Sequence, residues 1–212
     1  MKKQALSVFY MFLITLFFAS LVSAVKVLSE GKIQLNEAIK QQRIILRVLQ
    51  IPVNDKAPDE SVIRLFDMRV KAIEGGQKTL YVGYEEDGQT VQGYAFPVGG
   101  SGLWGPIEAM VGIDPQATKI LGLAFYGHSE TPGLGGRITE RWFTDQFAGL
   151  PLRPIEGDQN IFYLKPEGTA EASNELDAIT GATITSSSVE AFLNKELDNF
   201  LRNLWGQIER TK

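Results

Sequence analysis

The first apolar stretch of the chain runs from Ala5 to Val25 and contains no charged residue. About 20 such residues are needed for a helix to cross a bilayer, so the stretch predicts a transmembrane helix. Lys2 and Lys3 precede it, and positive charge tends to stay in the cytoplasm. We therefore predict a single-pass protein of the inner or cytoplasmic membrane, with its amino terminus in the cytoplasm and the remainder on the periplasmic or extracytoplasmic side.

A cleaved signal peptide is the alternative explanation of this stretch. Val22-Ser23-Ala24 resembles the small-residue site at which such peptides are cut. The apolar stretch is longer than the roughly 7–15 residues of an ordinary signal peptide, which favours retention.

Apolar residues continue at helical spacing behind the predicted span and stop before Pro52, which indicates a stalk helix. A polar linker follows, from Asn54 to Glu60. The pattern predicts three parts: residues 1–28 as cytoplasmic terminus and span, 29–60 as stalk helix and linker, and 61–212 as one folded domain.

Strand patterns fill the first half of that domain. Residues 66–72 alternate between apolar and charged side chains, as in a strand with one wet face. Two further runs flank Asp87-Gly88, a signal for a hairpin turn. The predicted strands, expected to pair as antiparallel neighbours, are 66–72, 79–84, 90–96, 107–113 and 120–126.

The second half of the domain has mainly helical patterns. Trp142, Phe143 and Phe147 indicate a short helix, and 161–164 is a candidate strand. Apolar residues at helical spacing from Val189 to Ile208 predict a long last helix. The fold class is therefore α+β, with an antiparallel sheet and a long carboxy-terminal helix behind one transmembrane helix.

Composition narrows the functional classes. The chain has 21 basic and 25 acidic residues, a net charge of −4, and these charges are mixed along the sequence. Without a basic stripe, nucleic-acid binding is not expected. There is no cysteine, which excludes disulfides, thiolate nucleophiles and cysteine-bound clusters in this chain. No metal-ligand spacing or hydrolase triad is present, so we predict no metal site and no catalytic residues, and any redox centre must be organic or borrowed.

The most informative motif is Thr180-Gly181-Ala182-Thr183, which lies ahead of the last helix. A helix amino terminus offers unpaired N–H groups and partial positive charge, so a phosphate placed there is favoured. The small residues between the two threonines leave the backbone open for a bulky group, which could also be esterified to Thr183. Helix capping is the alternative: Ser187 with Glu190 forms a capping-box pattern, but that box leaves Thr180 to Thr183 unexplained.

Two glycine-rich stretches are candidate walls of the same site. They are Gly99 to Ile107, which contains Trp104, and Ser129 to Gly136. Excess glycine beside an aromatic residue suggests that a flat ligand approaches the backbone closely, whereas two tight turns would be the purely structural explanation. The first stretch lacks the Lys-Ser/Thr of a P-loop, so it does not indicate a nucleotide triphosphate site.

Three motifs in this order, behind one span, resemble a known family. They are Gly102-Leu103-Trp104, Ser129 to Gly135, and Asp177 to Thr183. The resemblance is to the FMN-binding subunits of two related membrane complexes: the sodium-translocating NADH:quinone oxidoreductase and the Rnf-type ferredoxin:NAD oxidoreductase. It is strong from Gly99 to about Phe192 and extends to the amino-terminal third in layout only.

The resemblance implies a covalent FMN, attached by a flavin transferase as a phosphoester to Thr183. Asp177 matches the acidic residue of the family's modification signature, and Thr185 matches a hydroxyl position beyond the attachment site. The family's ring-binding segments fall on two loops of this chain. The implied FMN-binding residues are Thr183, Thr180, Gly181, Ala182, Asp177, Thr185, Leu103, Trp104, Glu130, Thr131, Pro132, Gly133, Leu134 and Gly135.

The implied function is that of an electron-carrier subunit within a redox-driven, ion-translocating oxidoreductase. The domain is then an extracytoplasmic FMN-binding domain without a complete substrate-converting site, and its partners are other integral membrane subunits. The Gly-Leu-Trp segment favours the quinone-linked complex, whereas chain length is closer to the Rnf type. Two alternatives stay open: a membrane-anchored flavoprotein that feeds another reductase, and a binding module without flavin.

Overall fold

The computed structural model describes residues 2–54, 56–75, 78–153 and 159–205. Asp55 of the predicted linker and Ile208 of the predicted last helix lie outside these ranges. The chain divides by its contacts into two compact units, Met1–Gln41 and Gln42–Lys212. The folded unit of the structure therefore takes in residues 42–60, which the sequence pattern assigns to the stalk helix and linker.

Helix α1 (Lys2–Val48) is one continuous helix of 47 residues. Within the part of the chain that the structure describes, it is the single helix long and apolar enough to cross a membrane. Its apolar side chains between Leu6 and Leu28 are exposed, as expected of a surface that faces lipid. The composition and length of α1 fit a single-pass membrane anchor.

The folded unit is built on a five-stranded antiparallel sheet in the simple order β1-β2-β3-β4-β5. Sequence neighbours pair throughout, as the hairpin signals predict. The strands are β1 (Val70–Gly75), β2 (Lys78–Tyr84), β3 (Val91–Ser101), β4 (Pro106–Ile113) and β5 (Ile120–Gly127). Strands β2 to β5 were predicted from the hairpin signal, from alternation in 107–113 and from the apolar run 120–126, and the structure confirms them as antiparallel neighbours.

The predicted strand at 66–72 is wrong in its first half. Residues 66–69 belong to helix α2 (Asp59–Arg69), which passes directly into β1 at Val70. Asp59 and Glu60 lie in the first turn of α2, where acidic side chains interact favourably with the helix dipole. Val62 and Phe66, one helical turn apart, place apolar surface on the same side, and Val62 is buried.

Short elements connect the sheet to the last helix. The segment after β5 forms a 3₁₀ turn (Gly135–Thr139), helix α3 (Arg141–Thr144) and a second 3₁₀ turn (Asp145–Phe147). Two short strands follow, β6 (Tyr163–Lys165) and β7 (Glu175–Asp177), which pair in parallel. The predicted aromatic helix is therefore found with shorter bounds, and the candidate strand at 161–164 is found shifted, at Tyr163–Lys165.

Helix α4 (Thr183–Asn199) packs on the sheet and continues as a π-helical segment (Phe200–Trp205). Phe200 stacks on Phe96 of β3, with ring centroids 4.3 Å apart. A Cβ at Gly100 of β3 would overlap the Cβ of Phe192, so the helix touches the strand backbone there. This contact places the middle of α4 beside the end of β3. The predicted α+β class is confirmed.

Candidate functional site

Thr183 is the first residue of α4 and its side chain is exposed. The residue before it, Ala182, has φ −128° and ψ 46°, and no side chain caps the helix. Gly181 has φ +78°, a left-handed conformation that side-chain-bearing residues rarely adopt. The chain thus turns at Gly181 and presents the Thr183 hydroxyl at an uncapped helix start.

An uncapped helix start of this kind attracts anions. The first backbone N–H groups of a helix have no carbonyl partner within the helix, and the dipole adds partial positive charge. The Ser187 and Glu190 capping box does not form at this end, because the helix begins four residues before Ser187. Ser186 instead accepts a hydrogen bond from the Ile179 amide at 3.2 Å, within the turn that precedes the helix.

Glu130 connects the three sequence motifs. Its Oε1 accepts hydrogen bonds from the amides of Leu103, at 2.8 Å, and Trp104, at 3.1 Å. Its Oε2 accepts the hydroxyl of Thr185 at 2.6 Å. The residue is only 4% exposed. The glycine-rich loop after β3, the loop after β5 and the first turn of α4 therefore meet at one buried carboxylate.

The ionised form of Glu130 is favoured by these bonds. Burial raises the pKa of this carboxyl, because a charge loses its hydration. The hydrogen bonds from Thr185 and from the amides of Trp104 and Leu103 act in the opposite direction and prevail, so the pKa lies below its ordinary value. Glu130 is thus a buried carboxylate whose charge is compensated inside the protein.

Exposed apolar side chains lie on the two loops that meet at Glu130 and directly after Thr183 in the chain. Trp104 is 67% exposed, and Leu103 and Leu134 are each close to half exposed. Ile184, directly after Thr183, is 59% exposed. Leu134 also comes near Gly181, since a Cβ on that glycine would lie 3.3 Å from Leu134 Cδ2. This arrangement offers an apolar surface to a flat aromatic ring beside the anion-binding helix start.

Asp177 supports the opposite side of the motif through the backbone. Its Oδ1 accepts the amides of Gly168, at 2.9 Å, and Ala170, at 3.3 Å, and so closes the turn after β6. Glu167 of that turn accepts the Thr180 hydroxyl at 2.5 Å.

A pocket of about 300 Å³ opens beside this turn. Glu167, Thr180 and Thr183 lie on its wall, and Leu164 and Ile179 are among its apolar lining.

The remaining predicted residues lie around this centre. Thr131, Pro132 and Gly133 are exposed in the loop after β5, while Gly135 is buried against Glu130. His128 is exposed, and its Nδ1 accepts the Glu130 amide at 3.2 Å. Among the described residues, no group of His, Asp or Glu is arranged to hold a metal ion.

The glycine-rich stretch after β3 is shorter than predicted. Gly99 and Gly100 belong to β3 and pair with β4, so only residues 102–105 form the loop. Gly100 has a structural explanation in its contact with Phe192. The sequence interpretation that this detail requires a ligand is therefore wrong for Gly100, while the exposed Leu103 and Trp104 lie in the loop itself.

Sequence reasoning missed two residues that hold the site. Glu167 binds the Thr180 hydroxyl, and Gln146 pairs with the backbone of Asp177, its Oε1 accepting the amide at 2.7 Å and its Nε2 donating to the carbonyl at 3.2 Å. Glu167 follows Pro166 in a polar stretch, and Gln146 lies among aromatic residues of a short helix. Neither context carries a signal of its own.

Part of the chain matches a known family model. Residues 102–198 match the model of a family described as the FMN-binding domain. This range contains all three motifs and ends one residue before the end of α4.

Relatives of known sequence carry one description. The chain is 35% identical over 108 residues to the C subunit of the Na⁺-translocating NADH-quinone reductase of Yersinia pestis, covering 51% of this chain and 41% of that protein. It is 33% identical over 135 residues to the same subunit of Pseudomonas aeruginosa, covering 59% and 51%. The matched part thus spans about half of the length of these relatives.

Solved structures show the same fold. The crystal structure of the corresponding Na⁺-translocating NADH-quinone reductase subunit from Parabacteroides distasonis superposes with a TM-score of 0.68 at 24% identity, covering 82% of this chain and 95% of that one. NqrC of Shewanella oneidensis gives a TM-score of 0.64 at 20% identity, covering 74% and 90%. These likenesses concern the fold.

Proposed function

Because the comparisons confirm the predicted resemblance to FMN-binding subunits, we propose that this chain is an FMN-carrying electron-transfer subunit of a membrane oxidoreductase. The relatives described above are subunits of a sodium-translocating NADH-quinone reductase, which supports the quinone-linked complex over the Rnf type. In this proposal the apolar helix α1 anchors the chain in the membrane, and the folded unit lies on the extracytoplasmic side.

The observation that carries the proposal is the position of Thr183. It combines an exposed hydroxyl, an uncapped helix start and neighbouring exposed apolar side chains. These are the three requirements of FMN held by its phosphate: an oxygen to esterify, N–H groups for the remaining negative charge, and a surface for the ring. The residues present therefore fit the cofactor.

We propose that the FMN phosphate is joined covalently to Thr183. In the transfer, Thr183 Oγ1 would bond to the FMN phosphorus of FAD, the pyrophosphate bond would break, AMP would leave and the hydroxyl proton would be released. A flavin transferase would catalyse this step. The pocket beside Thr183 and the absence of a protein cap at the helix start leave the hydroxyl accessible for it.

FMN supplies the redox chemistry, and the chain supplies its surroundings. Leu103, Trp104 and Leu134 would shield one face of the ring from water. The amides at the start of α4 would hold the phosphate charge, an interaction worth about 0.3–1 kcal/mol at an exposed helix end. A covalent bond would also keep the cofactor on the protein outside the cytoplasm, where it could not be replaced.

The test is in-gel flavin fluorescence of the denatured full chain, produced together with a flavin transferase. The wild-type band should fluoresce and the Thr183→Ala band should be dark, because the attachment oxygen is gone. Ser187→Ala, which removes an exposed hydroxyl one turn later in α4, is the matched control and should fluoresce like the wild type. Mass spectrometry should place the added mass on the peptide that contains Thr183.

Two outcomes would contradict the proposal. A dark wild-type band would remove covalent flavin and favour a binding module on the same fold. A fluorescent Thr183→Ala band would move the attachment to another residue. Co-purification of the labelled chain with other membrane subunits, against its isolation alone, separates the complex from a stand-alone flavoprotein.

A further inference from the structure

Glu130 shapes the flavin site from within the protein. We propose that its buried carboxylate is a positioning group, which holds the Leu103-Trp104 loop, the loop after β5 and the first turn of α4 in their flavin-receiving arrangement before any flavin is attached. This inference rests on the proposed function only for the identity of what the site receives. The arrangement itself belongs to the unmodified chain.

The first argument is that the carboxylate oxygens of Glu130 accept hydrogen bonds from groups of the protein itself. Its two oxygens receive two backbone amides and one hydroxyl at 2.6–3.1 Å. A residue that is 4% exposed with both oxygens engaged has little left to offer an external ligand. Glu130 therefore acts on the cofactor through Leu103, Trp104 and Thr185.

The second argument comes from two glycines in different motifs. A Cβ at Gly102 would lie 2.5 Å from Glu130 Oε1. A Cβ at Gly135 would lie 2.5 Å from Thr185 Oγ1 and 2.7 Å from Glu130 Oε2. Real Cβ atoms essentially never approach other atoms so closely, so both positions must be bare for the carboxylate to reach its partners. At Gly102 the Ile107 side chain, 2.8 Å from such a Cβ, adds to the overlap, and at both glycines the Glu130 carboxylate is among the closest atoms.

The third argument is that these bonds join segments far apart in sequence. Glu130 lies 27 residues after Leu103 and 55 residues before Thr185. Hydrogen bonds to a charged, buried acceptor are stronger than neutral ones, and the loss of the acceptor would leave two amides without a partner. The loop that carries the exposed Trp104 would then lose a principal tie to the rest of the site.

The test compares Glu130→Leu with Glu130→Gln in the full chain, made without flavin transferase. The readout is amide hydrogen exchange at Leu103 and Trp104. Leucine removes the acceptor, and exchange should accelerate by about tenfold or more. Glutamine keeps one oxygen for the two amides, and the hydroxyl of Thr185 can turn to accept from its NH₂ group, so most of the protection should return. Glu86→Leu, at an exposed position in the β2–β3 turn, controls for the substitution itself and should leave exchange at both amides unchanged.

A second pair of variants decides the matter if Glu130→Leu does not fold. Thr185→Val keeps the shape of the side chain but removes the donor to Oε2, whereas Thr185→Ser keeps the donor. Exchange at Leu103 and Trp104 should be faster in the valine variant and close to wild type in the serine variant. The same order should appear in the fraction of chains that a flavin transferase labels.

The proposal is overturned by either of two results. Unchanged exchange at both amides in Glu130→Leu or, where that variant does not fold, in Thr185→Val would show that the carboxylate does not hold the loop. Equally faster exchange in Glu130→Gln and Glu130→Leu would show that an acceptor oxygen at position 130 is not what protects the two amides. An unlabelled wild-type chain would contradict the proposed function alone, since the exchange experiment uses protein without flavin.

Discussion

Two sides of the Thr183 site are held by different kinds of contact. The buried side comprises Gly102, Leu103, Trp104, Glu130, Gly135 and Thr185, which meet at one enclosed carboxylate. On the exposed side, Glu167 accepts the Thr180 hydroxyl, and the half-buried Asp177 accepts amides of the turn that contains Glu167. Water competes for the hydrogen bonds of the second set, whereas the Glu130 carboxylate at the centre of the first set is largely shielded from it.

The difference suggests a division of tasks. A site that tunes a bound ring benefits from fixed walls, since misplacement of even 1 Å changes its contacts. A segment that an external enzyme must grip benefits from a low cost of local opening. The buried side meets the first requirement and the exposed side meets the second, with Thr183 between them.

Gly135→Ala should have the largest effect on the free energy of unfolding, because it places a methyl group among the buried contacts of Glu130. Its Cβ would overlap Thr185 Oγ1 and Glu130 Oε2, and such overpacking costs about 1–3 kcal/mol or somewhat more. We expect a loss of about 3 kcal/mol in the free energy of unfolding, measured by urea denaturation of the unmodified chain.

Gly133→Ala is the matched control in the same loop. Gly133 has φ +75° but open space around its Cβ, so only the left-handed backbone penalty of about 1 kcal/mol applies. Equal losses at the two positions would mean that the contact between the loop and α4 is not tight, and would remove the contrast between the two sides.

The pH dependence of stability should show a smaller effect of the same origin. The pKa of Glu130 is lowered in the folded protein, so its ionised form stabilises the fold above the unfolded value of about 4.3. This contribution is lost as the pH falls through the folded pKa. Glu130→Gln has no titrating group at this position. We therefore expect the free energy of unfolding of the wild type to be about 1 kcal/mol higher than that of the variant at pH 7, and the two values to converge at low pH.

The measurement is urea unfolding of both proteins between neutral and acid pH. Comparing the two variants cancels the contributions of other carboxyls whose pKa is also lowered, such as Asp114 and Glu175. A difference that stays constant across this range would show that folding does not lower the pKa of Glu130.

Thr180→Val should have the smallest effect on stability. It removes the exposed hydrogen bond to Glu167, and bonds of this kind contribute about 0–1 kcal/mol. We expect a change below about 0.5 kcal/mol in urea unfolding. A loss as large as that of Gly135→Ala would show that the exposed side is as firmly held as the buried side.

The sheet could be predicted from the sequence because alternating or continuous apolar runs are separated by turn signals and joined by short connections. Residues 66–69 were mistaken for strand because Phe66 and Met68 alternate with charged neighbours over only four positions. The helix signal was present upstream, in Pro58 followed by Asp59 and Glu60, and it extends the helix through the same residues. A window of four residues fits both the helical and the strand period, and the signal for a helix start upstream decides between them.

The site was only partly accessible to sequence reasoning. Thr183 could be located because glycine and hydroxyl residues before a helix are a local signal. The burial of Glu130 could not be predicted, because a glutamate in a loop with proline and glycine is typical of solvent-exposed turns. Its partners lie 27 and 55 residues away, and only the folded chain brings them together.

The alanine at position 182, directly before α4, has a consequence for the stability of the chain before and after flavin attachment. Serine, threonine or aspartate in the residue before a helix would stabilise it by about 1 kcal/mol, and alanine forgoes that gain. Before any flavin is attached, the first amides of α4 would thus lack a side-chain acceptor, and the phosphoester proposed at Thr183 would supply acceptor oxygens. Attachment of the flavin would then stabilise the start of α4 as well as add the cofactor. Flavinylated chains would resist thermal unfolding and proteolysis better than unmodified chains.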